Sequence, residues 1–144
     1  MAITKNLATG ITLQLNDEGG NKSCVVSYDV KKLLNGRDSD NTKFLLINLL
    51  TETSGELLLD GFGVKISEVK DLKNGIGDFV SKLIFKPTSI PIEYRYIGNE
   101  DNLEILVGGE LVSKVKVSRD KVEKLNLNFL KEQAKGIVST LKIG

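Results

Sequence analysis

Histidine and tryptophan are missing from this 144-residue chain, and it has one cysteine and two prolines. Without imidazole it lacks the commonest general base and the commonest protein metal ligand. A structural zinc site, which needs several Cys or His, is excluded in practice. The lone Cys24 cannot close an intramolecular disulfide. A reactive thiolate needs a base or cation beside it, and Ser23-Cys24-Val25-Val26-Ser27-Tyr28 offers neither. Cys24 therefore reads as a small core hydrophobe.

Long apolar runs are also missing. The longest, Phe44-Leu-Leu-Ile-Asn-Leu-Leu50, is interrupted by Asn48 and falls far short of the roughly 18 residues of a membrane span. Residues 1–10 hold no apolar core of the roughly 7–15 residues that a secretory signal requires. The expectation is a protein made in the cytoplasm without a membrane partner, there or in a virion or released particle. Charge of one sign is scarce too: 20 basic against 19 acidic side chains leave a net of +1, which excludes a bulk polyelectrolyte. With 40% hydrophobic and 27% charged residues, the chain has the composition of one globular domain over residues 1–144.

The strongest positive signal is period-two alternation. Ile11, Leu13 and Leu15 share one face of a strand, and Cys24, Val26, Tyr28 and Val30 share a face of the next. The polar, glycine-containing segment between them suits a hairpin with a longer loop. Lys31 to Gly36 either finishes that strand or makes a short helical turn closed by Gly36. Lys43 to Thr51 fits a buried strand or a buried helix, and its β-rich neighbours favour a strand. Asp60-Gly61 between apolar flanks suits a two-residue hairpin turn. Ser67 to Lys73 reads as one helical turn capped by Ser67 and broken at Asn74-Gly-Ile-Gly77, with a short helix over 78–85.

Ile90, Ile92, Tyr94 and Tyr96 then alternate along a strand, with Pro91 better suited to its edge or start. Leu103 to Val107 and Leu111 to Val117 flank a tight turn at Gly108-Gly109. Phe129, Leu130, Ala134, Ile137, Val138 and Leu141 follow helical spacing, giving a C-terminal helix over about 128–142. The fold class is α+β: a hairpin-rich antiparallel sheet, sandwich or open barrel-like, with the C-terminal helix packed on one face.

Motifs for known chemistries fail on inspection. Asp38-Ser39-Asp40 starts like a calcium loop, but Lys43 stands where the glycine belongs and Leu49 where the bidentate Glu belongs. Ser-x-x-Lys occurs at Ser67, Ser118 and Ser139 without the companion elements of serine acylases. Gly61-Phe-Gly63 and Gly75-Ile-Gly77 lack the third glycine of a dinucleotide fingerprint. No metal or cofactor is expected.

Charge, finally, is uneven. Residues 1–60 carry six basic and eight acidic side chains, as do residues 61–110, whereas 111–144 carry eight and three. Lysine dominates that basic set and Phe129 is its one aromatic, so it reads as a solvated face before a nucleic-acid surface. It also complements the acidic front of a neighbouring copy. The expected function is a non-enzymatic structural or assembly protein that self-associates through sheet edges and complementary charge. A phage tail, neck or decoration subunit is one concrete form. A small module binding a protein or polyanion through the basic region is the alternative. Candidate interface residues are Leu13 on a predicted edge strand, Tyr94 and Tyr96, and the basic Lys114, Lys116, Arg119, Lys121 and Lys124.

Overall fold

Alternation of apolar and polar residues builds one six-stranded antiparallel sheet in the computed structural model of the chain, which describes residues 2–37, 39–86, 89–125 and 127–143. The strands are β1 (Ala2–Ala8), β2 (Ile11–Glu18), β3 (Asn21–Asp29), β4 (Ser89–Ile97), β5 (Asn102–Val107) and β6 (Glu110–Lys116). They follow one another across the sheet in chain order, so β1 and β6 are its edges. The β2–β3 turn is tighter than the sequence suggests. Gly19 and Gly20 make it alone, both at positive φ (57° and 91°), the backbone of a two-residue hairpin that matches strand twist. Gly108 and Gly109 make the β5–β6 turn in the same way.

Three helical segments interrupt the meander between β3 and β4, and two follow β6. α1 (Val30–Leu34) is capped by Asp29, whose carboxylate accepts from the Lys32 amide, and ends at Asn35 in the left-handed region. α2 (Asp40–Glu56) begins at Ser39, whose hydroxyl accepts from the Thr42 amide, and runs into a π-helical turn at Leu57–Gly61. α3 (Ile66–Leu83), α4 (Arg119–Glu123) and α5 (Leu127–Ile143) complete the layer. α5 packs on β1 and α2, α2 packs on α3, and α3 reaches β5 and β6. The helices thus cover one face of the sheet, and the buried residues of all layers form one core.

Three local expectations are overturned, and a strand with no signal in the sequence displaces the predicted edge. Residues 43–51 lie in α2 and not in a strand. Leu46 and Leu50 are buried at helical spacing, while Leu45, Ile47 and Leu49 are half-buried among neighbouring helices, so no single polar face exists to announce the helix. Asp60-Gly61 closes the π-helical turn instead of a hairpin, because Leu57 and Leu58 are drawn into the core and the chain continues helically. α3 starts at Ile66, with extended Lys65 in the capping position, and runs unbroken through Asn74-Gly75-Ile76-Gly77. Residues 2–8, which carry no clear alternation, form β1. That last strand changes the edge assignment. β2 pairs with β1 and β3, and β4 pairs with β3 and β5, so neither Ile11–Leu15 nor residues 90–97 lie at an edge.

Candidate functional site

The register sets the inner face of the sheet in cross-strand rows, one of which runs Ile3, Leu15, Cys24, Tyr94, Ile105. α5 covers the neighbouring Leu7 end of β1, and Leu7 is buried there. Towards Ile3 the sheet passes beyond α5 and is roofed by the short α4. The result is a half-open groove of about 480 Å³ between Ile3, Leu15 and Cys24 on the sheet and Val122 and Leu125 on and after α4. Phe62 closes its inner end, stacked on Tyr94 with ring centroids 5.4 Å apart. Asp17, Lys22 and Glu123 form a charged rim.

The π-helical turn shapes this end of the molecule. An inserted residue in a helix redirects the chain beyond it, and such turns recur at functional sites. Here it delivers Phe62 to the groove and leaves Asp60 and Gly61 on a second hollow of about 570 Å³, with Ser118, Asp120, Lys121, Lys124 and Phe129. A Cβ on Gly61 would lie 2.7 Å from Leu57 Cδ1 and 3.1 Å from Leu125 Cδ1, so glycine lets the Leu125 segment lie between the hollows.

The residues singled out from sequence fall into three settings. Leu13 is fully buried in the centre of the sheet, and Tyr94 and Tyr96 are core residues that reach the groove only as its floor. Leu13 fails as an edge contact because its strand has partners on both sides, and a proline there would remove bonds from the middle of the ladder. Lys114, Lys116 and Arg119 are paired within the chain. Lys114 Nζ lies 3.1 Å from the Glu100 carboxylate, and Lys116 Nζ donates to the Glu100 carbonyl at 2.7 Å. Arg119 donates to Asp101 and to the Gly98 carbonyl, while the Tyr96 hydroxyl donates to the same Asp101 carboxylate at 2.6 Å. Lys121 and Lys124 stand on the second hollow without an ion pair among the described residues.

Electrostatics follow these contacts. The Asn102 amide and then Lys114 hold Glu100 below the usual carboxylate range, and the Tyr96 hydroxyl, followed by Arg119, does the same for Asp101. Burial pushes the Cys24 thiol up to about 12. Among the described residues no three Cys, Asp or Glu side chains converge to hold a metal ion. Asp38 of the calcium-like triplet lies outside the described residues, while Ser39 and Asp40 start α2. Ser118, one of the Ser-x-x-Lys serines, accepts from the Lys121 amide as the cap of α4. No described helix is long and apolar enough to cross a membrane.

The edge that sequence reading missed is β1 itself. Ile3 was legible there as an apolar residue, but its opposition to Leu15 appears only once the register is known. No family matches the chain, and neither a curated protein nor a solved structure matches it.

Proposed function

We propose that this protein is a non-enzymatic assembly subunit that pairs its β1 edge with β1 of a second copy. One observation carries the reading: an edge strand exposed along Ala2–Asn6 stands directly beside the half-open apolar groove, and Ile3, 44% exposed, belongs to both. Strand addition draws affinity from main-chain hydrogen bonds and specificity from side-chain pockets next to the edge. β1 offers both together.

The other edge is less suited. β6 carries Lys114 and Lys116 and a bulge opposite Ile105 and Leu106, features that discourage strand pairing. β1 has only Lys5 and a bulge near its far end, at Leu7. Antiparallel pairing of two β1 strands extends both sheets into one with the inner faces on the same side, so the two groove mouths meet around the Ile3 side chains. That is an isologous contact, closed by a two-fold axis. A subunit of a repeating particle, such as a phage tail, neck or decoration protein, is the concrete form this reading takes. The polyanion alternative through the C-terminal basic region is weaker, since Lys114, Lys116 and Arg119 are already engaged with Glu100 and Asp101.

Light scattering coupled to size exclusion tests it. The mass is expected to rise from one copy towards two with concentration. The double substitution Ile3→Lys and Thr4→Lys is expected to return it to one copy with an unchanged circular dichroism spectrum. A wild-type chain that stays monomeric at every concentration overturns the reading.

A further inference from the structure

The corner where α1, the start of α2 and the end of α3 meet gathers lysines and aromatic rings that are far apart in the chain. Lys31, Lys43 and Lys86 line a hollow of about 460 Å³ whose apolar wall includes Phe85. On the other side of α1, Lys32, Arg37 and Lys142 line a second hollow of about 410 Å³. Among the described residues, neither wall contains an acidic side chain. The described acids nearest along the chain to Lys31, Lys32, Arg37 and Lys43 serve helix starts: Asp29 caps α1 and Asp40 lies in the first turn of α2.

Beside the first hollow stand two of the few large apolar side chains left open to solvent. Phe44 is 53% exposed and Phe85 47%. Their rings meet edge to face with centroids 5.9 Å apart, and Lys43 Nζ lies 5.1 Å over the Phe85 ring. Two rings held at a fixed angle among lysines present stacking surfaces next to positive charge. This is the pairing that single-stranded nucleic acid uses: bases stack on aromatic faces while lysines and arginines follow the phosphates. The C-terminal basic set lacks the exposed rings for it.

We infer that this corner binds single-stranded nucleic acid, with bases on Phe44 and Phe85 and phosphates on Lys31 and Lys86 in the first hollow and on Lys32, Arg37 and Lys142 in the second. The occupant must be negative, because the charged side chains described on both walls are all basic. It must carry charge at more than one point, because the hollows lie on opposite sides of the five-residue α1. It must offer flat apolar groups, because the exposed apolar side chains beside the first hollow are the Phe44 and Phe85 rings. An anionic membrane satisfies the charge but suits a continuous amphipathic helical face, whereas this site is two concave hollows. The inference is independent of pairing at β1, which lies outside the residues it uses.

Fluorescence anisotropy of a dye-labelled oligothymidylate, titrated with the full chain, tests it. Binding in about the 1–100 μM range is expected at about 50 mM salt, weakening steeply by about 200 mM as counterion release predicts. Lys31→Glu combined with Lys86→Glu is expected to weaken binding about tenfold or more, and Phe85→Leu several-fold through lost stacking. Lys114→Glu with Lys116→Glu on β6 is expected to leave it within about twofold, since those phosphates would lie elsewhere. No binding at low salt overturns the inference. So does an equal loss from the β6 pair, which would mark unspecific attraction. Competition by thymidine monophosphate as effective as by the strand would reduce the site to a single nucleotide and overturn it too. Sedimentation with phosphatidylserine vesicles in place of oligonucleotide binding would assign the corner to membranes instead.

Discussion

Cys24 faces the core from β3, opposite Tyr94 in the ladder, and its chemistry stems from that position. Burial disfavours the thiolate and raises the group to about 12, against an ordinary value of 9.0. A raised value means that the unfolded chain ionises first. Its contribution to stability is complete below about pH 9 and is lost as pH climbs towards 12. Tyr28 and Tyr94, also raised by burial, extend that loss above about pH 10. The native thiol is expected to react slowly with an aromatic disulfide reagent at pH 8 and completely in denaturant; fast native labelling would contradict the burial. Glu100 and Asp101 act with the opposite sign. Their lowered values contribute stability above the ordinary carboxylate pKa near 4 and lose it as pH falls through the lower folded values. Both side chains are about half open to solvent, so salt weakens the effect. Asp101→Asn is expected to shrink the acid limb of a urea-midpoint profile below about pH 4, and less so in high salt.

α3 shows how an element departs from its local signals. Gly75 and Gly77 lower helix propensity, yet the helix continues through them because other elements approach there. A Cβ on Gly75 would lie 2.9 Å from Val112 Cγ1 on β6, and one on Gly77 would lie 3.1 Å from Thr51 Oγ1 on α2. Small residues at these points let α3 sit against both. Gly136 in α5 is the contrasting case: it is exposed, and an added Cβ would meet nothing. Gly136→Ala is therefore expected to stabilise by about 0.5–1 kcal/mol, the ordinary helix-interior gain. Gly75→Ala gains the same propensity but loses packing, with overpacking costs of about 1–3 kcal/mol. Thermal melts of the two variants are expected to shift in opposite directions. Equal upward shifts would show that the Val112 contact relaxes freely.

In the whole molecule, a helical layer covers one face of an open sheet, leaving two edges with different character. Edge choice and charge placement together bear on assembly. The sequence reading couples copies through an acidic front and a basic tail, but the tail's Lys114, Lys116 and Arg119 meet their acids within one chain. The proposed pairing at β1 therefore rests on backbone bonds and Ile3. The dimer measured by light scattering is expected to change little between low and moderate salt, whereas oligonucleotide binding at the α1 corner falls steeply. A dimer that dissolves with salt would return the contact to the charged surfaces.

Alternation in β2, β3, β4 and β5 and the helical spacing in α5 were readable because each depends on neighbours two to four residues away. Those signals were enough for an antiparallel α+β fold with a C-terminal helix. The lack of histidine removes imidazole from any chemistry the chain performs. Folding had to settle the rest. α2 hid its helix because it is covered on several sides, and β1 hid its strand because it is exposed along most of its length. The groove joins Ile3 to Val122, and the basic corner joins Lys31 to Lys86 and Lys142. Contacts of such separation leave no period in the sequence, since they depend on how the sheet and helices pack.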